Sequence, residues 1–155
     1  MSIPKLLIRD VQVSDILEIY RWRNDPITIQ YSKTGKGVDR KEHLAWFEGV
    51  TSSKKDLTQI GVIKNNPIGI ITFSLKSEAN IFEISINLSP EYRKKGCGEI
   101  FLSLSEAKLK EKVGECSIRA VILKGNDSSI KFFTKCGYEL SQVSQNLLVY
   151  EKSLL

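Results

Sequence analysis

Two periods of apolar and polar residues divide the chain into elements. Leu6-Leu7-Ile8 reads as a short strand. From Val13 to Arg23, apolar residues fall at Val13, Ile16, Leu17, Ile19 and Tyr20, a helical spacing. Ser14-Asp15 can cap that helix, and Asp25-Pro26 stops it, because a residue before proline avoids helical angles. Tyr31 to Val38 is a loop rich in Gly, Lys and Ser. Asp39 to Gly49 reads as a second helix, capped by Asp39, with Leu44, Trp46 and Phe47 as its apolar face. After a polar link, Leu57–Lys64 and Ile68–Lys76 read as strands joined at Asn65-Asn66-Pro67, a turn by composition. Ala79–Leu88 is the next strand. Glu99–Val113 is a helix with Ile100, Phe101, Leu104 and Ala107 on one stripe. Ser117–Leu123 alternates as a strand, and Ser128–Lys135 is a short helix with Asn126 or Asp127 before it and Gly137 after it. Tyr138–Ser141 and Leu147–Lys152 close the chain as a hairpin. Antiparallel strands come first and a βαβ unit later, so the sheet should be mixed and the class α/β, or α+β in some schemes.

The junction between the fourth strand and the long helix is the most informative stretch. The alternation Ile84-Ser85-Ile86-Asn87-Leu88 stops at Ser89-Pro90; the basic run Arg93-Lys94-Lys95 follows, then Gly96-Cys97-Gly98 at the helix start. The first turn of a helix carries N–H groups without intrahelical partners, and its dipole favours negative charge. Glycines let the backbone approach a phosphate closely. The sequence therefore proposes a phosphate-bearing ligand here. Glu91 and Glu99 flank the loop and should point away from the anion or cap the helix.

Composition narrows the classes. The 155 residues suit one domain with a full hydrophobic core; 41% hydrophobic and 26% charged residues are ordinary for a globular protein. No apolar run reaches the length of a membrane span, and the N-terminus lacks an apolar leader core, so residence in the cytoplasm, away from membranes, is expected. The net charge of +5 is scattered and makes no aromatic-basic stripe, which argues against nucleic-acid binding. Cys97, Cys116 and Cys136 are odd in number and widely spaced, and His43 is the only histidine; no metal site or disulfide framework is expected.

The order of elements, with Arg93-Lys94-Lys95-Gly96-Cys97-Gly98 after the fourth strand and Asn126-x-x-Ser129-x-x-Phe132-Phe133-x-x-x-Gly137-Tyr138 beyond the fifth, resembles the GNAT acetyltransferases over nearly the whole chain. The resemblance implies the GNAT fold in a single domain and acetyl-CoA as cosubstrate. It implies that backbone amides of Arg93, Lys94, Lys95, Gly96, Cys97 and Gly98 hold the pyrophosphate, that Ile86 and Leu88 pair with the pantetheine arm through a splay beside their strand, and that Asn126 contacts that arm. A narrower resemblance joins Tyr20-Arg21-Trp22-Arg23-Asn24-Asp25-Pro26 and Glu42-His43-Leu44-Ala45-Trp46-Phe47 to the nucleotide-sugar N-acetyltransferases of the pseudaminic acid pathway. It implies an acceptor amine on a UDP-linked amino-deoxy-sugar, with Trp22, Arg23, Asn24, Tyr31, His43 and Ser85 lining its site. Ribosomal-protein N-terminal acetyltransferases share parts of this pattern and are the rival within enzymes; a non-catalytic CoA-binding module is the rival outside them. Enzymes of this kind often form homodimers.

Acetyl transfer from a thioester to an amine needs a neutral amine, so a base helps. Glu83 is the first candidate, on the strand face shared with Ser85 and Asn87 and at the position where many GNAT enzymes carry a carboxylate. His43, titrating near neutrality, is the second. The family's usual acid toward the CoA sulfur is a tyrosine, and here that position is Phe133, which has no hydroxyl and is expected, from the resemblance, among the residues that bind the cofactor. Tyr138 is the nearest substitute, with Tyr92, Ser85 and Thr134 behind it. Arg21 or Arg23 could meet a nucleotide diphosphate, and Tyr31, Lys33 and Gly35-Lys36-Gly37 are placed to line the acceptor site.

Overall fold

Seven strands make one sheet in the order β1-β2-β3-β4-β5-β7-β6, in a computed structural model that describes residues 4–155. The first three residues of the leaderless N-terminus expected from sequence lie outside it. The strands are β1 (Leu6–Asp10), β2 (Leu57–Ile63), β3 (Asn66–Ser77), β4 (Ile81–Leu88), β5 (Cys116–Leu123), β6 (Glu139–Val143) and β7 (Leu147–Leu154). All neighbouring pairs are antiparallel except β4 and β5. The helices are α1 (Ile16–Arg23), α2 (Pro26–Gln30), α3 (Arg40–Ser52), α4 (Cys97–Val113) and α5 (Asp127–Lys135). The architecture is the mixed, mostly antiparallel sheet flanked by helices that the alternation pattern implied. Among the described residues no helix is long and apolar enough to cross a membrane.

Both faces of the sheet are covered. On one, α4 and α5 close the main core, in which Phe73, Phe82, Phe101, Leu109 and Ile118 are all but inaccessible. On the other, Ile19 and Trp22 of α1 pack on Ile60 and Ile70, with Trp46 of α3 at the edge. Phe82 and Ile84 point to the α4 side. Strand alternation then turns Glu83, Ser85 and Asn87 to the α1 side.

Three details differ from the sequence reading. Asp25-Pro26 ends α1 but also starts α2: Asp25 accepts from Thr28 N (3.3 Å) and Pro26 occupies the first turn, where its missing N–H costs nothing. The buried side of α4 is Phe101, Leu102, Ser105, Glu106 and Leu109, so Ile100 and Leu104 are more than a third exposed. On α3 the buried pair is His43 and Phe47, while Leu44 is half exposed. On α4 and α3 a polar residue, Glu106 and His43 respectively, holds an inner position because it found a hydrogen-bond partner there, which hydrophobic periodicity cannot register.

β4 and β5 part company early. Their ladder covers only Ile81–Glu83 against Ser117–Arg119. From there β5 stays paired with β7, and β4 stays paired with β3 to Leu88. Residues Ile84–Leu88 therefore have no strand partner on the β5 side. This is the opening expected beside β4.

Candidate active site

The opening ends at the phosphate-loop candidate. Ser89 N donates to Ile68 O (2.7 Å), a one-turn helix spans Pro90–Tyr92, and Lys94 and Gly96 both take left-handed backbone angles (φ 59° and 82°) before α4 begins at Cys97. No side chain caps α4, so its first N–H groups are left to a ligand. Such alternation of left-handed and ordinary residues turns successive N–H groups into one concavity. Gly96 supplies the positive φ. Gly98 supplies closeness: a Cβ there would lie 2.8 Å from Phe132 Cε1, so α5 could not dock against the first turn of α4. Glu91 is drawn to Ser89 and Arg21, and Glu99 to Lys135 (3.9 Å); neither caps the helix.

The Arg93 side chain is not one of the cations that the basic run offers the loop. Its guanidinium turns away from the loop, pairing with Asp25 (2.8 Å) and donating to Leu88 O (3.1 Å) and Thr28 Oγ1 (3.1 Å). It ties α2 to the end of β4, and only its backbone remains for an anion. The free cations beside the loop are Lys94 and Lys95, the latter 5.9 Å from the Tyr92 ring centre.

Glu83 sits where β4 and β5 separate, opposite Ser74 and Arg119 in the two ladders. Its side chain is about one-third exposed, and Lys33 Nζ donates to its Oε2 (3.1 Å). Ser85 follows on the same face and is exposed. Behind it, Thr72 stands across the ladder and accepts from Thr58 Oγ1 (3.2 Å), making a polar lane on the α1 side of the sheet. Lys33 comes from the loop between α2 and α3 that also carries Tyr31, so this loop meets β4 at Glu83.

The Trp22, Arg23, Asn24 and His43 group is a packing cluster. Trp22 is fully buried. Arg23 lies over Trp46 (4.7 Å) and donates to His43 Nδ1 (3.1 Å). Arginine cannot accept, so the His43 proton sits on Nε2, which donates to Ile16 O (2.7 Å). With both nitrogens engaged and 2% of its surface exposed, His43 has no lone pair to offer a substrate. Asn24 uses both ends of its amide, on Tyr20 O (3.0 Å) and Val38 N (2.8 Å), and so holds the 31–38 loop.

Burial, seconded by Arg23, lowers the His43 pKa from its usual 6.5. The unfolded chain therefore binds more protons just below pH 6.5, and stability falls as pH falls through that window. Asp15 and Asp25, held below the ordinary 3.8 by Arg9 and Arg93 against their burial, act only at much lower pH. Denaturant midpoints should therefore drop between about pH 7 and pH 5.5, and His43→Gln should flatten that slope; an equal slope in the variant would remove His43 as its source.

Tyr138 is also corrected. Its ring is buried against Phe133 (5.0 Å), and its hydroxyl donates to Glu106 (2.7 Å), whose other oxygen accepts from Lys152 (2.9 Å). Burial and that carboxylate drive its pKa far up. It joins α4, α5 and β7 rather than facing a thioester. Phe133 is 5% exposed within the same core and offers no surface to a ligand. Asn126 caps α5 by accepting from Ser129 N (3.3 Å) through its Oδ1, an engagement that leaves the Nδ2 end of the amide uncommitted. Neither Glu106 nor the Arg93–Asp25 pair was singled out from sequence; the cap-like Asp25-Pro26 was the available signal for the second. A cleft of about 530 Å³ lined by Asp10, Thr51, Asp56, Thr58 and Lys112 touches the polar lane at Thr58 and holds none of the candidates.

Residues 5–139 match the acetyltransferase (GNAT) domain family. The fold is similar to that of a domain from Methanocaldococcus jannaschii (24% identity, TM-score 0.83, covering 97% of this chain and 99% of that one). It is also similar to spermidine N-acetyltransferase from Vibrio cholerae with CoA and spermine (13%, 0.81, 96% and 95%). A third likeness is to a putative acetyltransferase from Salmonella typhimurium with acetyl-CoA (18%, 0.80, 97% and 95%). No curated protein matches the chain. The chain belongs to the GNAT family and is an acetyl-CoA-dependent N-acetyltransferase. The residues present fit the cosubstrate: an uncapped, glycine-led helix start for its pyrophosphate, and an unpaired strand edge for its amide-bearing arm.

Proposed function

We propose that this enzyme acetylates the primary amine of a small, anionic acceptor, of which a nucleotide-linked amino sugar is the specific form, by direct attack within a ternary complex. The observation that carries the reading is the position of Glu83: a carboxylate on the polar face of β4, at the point where β4 and β5 diverge. Bound acetyl-CoA supplies the activated acetyl group. The 93–98 backbone fixes its phosphates, and the Ile86 and Leu88 main chain aligns its arm. Glu83 takes the proton of the acceptor ammonium, directly or through water. With Tyr138 locked on Glu106 and Phe133 apolar, the leaving sulfur takes its proton from water.

Charge supports an anionic acceptor. The loop over Glu83 brings Lys33 and Lys36, and Glu83 is the carboxylate on the lane, already paired. A polycation such as spermine would need several free carboxylates there. Trp22 and His43 are buried and offer no direct contact, so nucleotide selection falls first to Tyr31, Lys33 and Ser85. The three cysteines are free thiols, in keeping with a cytoplasmic setting. Thermal shifts test the acceptor class: UDP or UDP-sugars should raise the melting temperature in the presence of CoA and spermidine should not. The reverse pattern would replace the nucleotide reading with a polyamine one.

A further inference from the structure

Among the described residues, Lys33 is the amine nearest the candidate base. Its Nζ lies 3.1 Å from Glu83 Oε2, and the rest of its loop is built to keep it there. Ser32 Oγ donates to Ile29 O (2.9 Å) and accepts from Gly35 N (3.0 Å), while Asn24 holds Val38 N. Anchors thus stand on both sides of Lys33 in the chain. Its side chain is 63% exposed, so neither burial nor a second partner restrains the ammonium.

Position along β4 adds the second half of the case. From Leu88, beside the phosphate loop, to Glu83, where the opening closes, the strand advances about 17 Å at roughly 3.4 Å per residue. A pantetheine arm has about a dozen backbone bonds, each advancing roughly 1.2 Å when extended, about 15 Å in all. A thioester held by the 93–98 loop and laid along β4 therefore ends near the Lys33–Glu83 pair.

We propose that Lys33 is a self-acetylation site: with acetyl-CoA bound and no acceptor present, its own amine takes the acceptor's place. This rests on the reading of Glu83 as the base. The Lys33 ammonium gives one proton to Glu83, and Nζ attacks the thioester carbonyl carbon. The C–N bond forms as the C–S bond breaks, and the tetrahedral nitrogen loses its second proton. One of the two protons ends on the departing CoA sulfur and the other in solvent. Acetylation removes the positive charge that pairs with Glu83. It frees that carboxylate and takes away one of the cations offered to an anionic acceptor.

The test is intact-mass and peptide mapping of the purified protein with acetyl-CoA and no amine. One acetyl group should accumulate at Lys33, well ahead of Lys36, Lys94 and Lys95, at a first-order rate that does not change with protein concentration. Glu83→Gln should slow it at least tenfold. Equal modification of all exposed lysines, or a Lys33 rate unaffected by Glu83→Gln, would show chemical acetylation only and overturn the proposal. The pair itself is read without acetyl-CoA: Lys33 should react more slowly than Lys36 with trace acetic anhydride, and Glu83→Gln should erase the difference. Acetyl transfer to an added amine with Lys33 untouched would sink this inference and leave the function standing; transfer unaffected by Glu83→Gln would sink the base assignment itself.

Discussion

An aspartate in place of Gly96 is expected to abolish acetyl-CoA binding, raising its Kd at least a hundredfold by isothermal titration. Two effects act together. At φ 82° a side chain bears a left-handed cost of about 1–2 kcal/mol, which moves the loop or is tolerated with strain. The larger effect is charge. The uncapped N–H groups at the start of α4 are the natural partners of any nearby anion, and a carboxylate attached at Gly96 reaches them first. It fills the concavity and repels a pyrophosphate from it. Gly96 is exposed, so the fold itself should survive, with a small change in melting temperature. Gly96→Asn separates the two effects, since it keeps the bulk and the strain without the charge. It should lose only about tenfold. If Gly96→Asp kept its affinity within tenfold, the phosphates would bind elsewhere and the loop would be only a turn.

Much of the fold was legible because strand alternation and turn residues act locally. β3, β4, α4, β5 and the closing hairpin fell within a few residues of their observed ends, and Gly96 and Gly98 proved to be special for two different reasons, a dihedral and a close approach. What was not legible was the direction of polar side chains. Arg93 stands in a basic run and reads as a phosphate ligand; only the fold reveals Asp25, 68 positions away, as its partner. His43 reads as a base until Arg23 and Ile16 O take both its nitrogens. Asn24 reads as a ligand contact until Tyr20 O and Val38 N claim its amide. These residues share a property. Each is a polar group whose hydrogen-bonding capacity must be met wherever it is buried, and a distant backbone atom can meet it as well as a substrate can. Glu83 is different because its one partner, Lys33, is an exposed and displaceable ion pair.

That difference gives Glu83→Gln the largest expected effect on turnover. The amide keeps the shape and the hydrogen-bonding reach of the carboxylate and loses its proton affinity. A positioned general base contributes about 10²–10⁴-fold, so kcat should fall by about that factor once the acceptor is known, and single-turnover acetyl transfer should fall with it. Acetyl-CoA affinity should stay unchanged, because the groups proposed to hold the cosubstrate are main-chain atoms of β4 and the 93–98 loop. Stability should hardly move: the Lys33–Glu83 side chains are 63% and 30% exposed, and exposed pairs contribute at most about 1 kcal/mol. Glu83→Asp should recover part of the rate, since it restores the base at the expense of one methylene of reach. A role confined to loop anchoring predicts another pattern. Glu83→Gln would then loosen the 31–38 loop, raise KM for the acceptor and leave kcat near that of the parent enzyme. The split between kcat and KM therefore decides whether the carboxylate takes the proton or only holds Lys33.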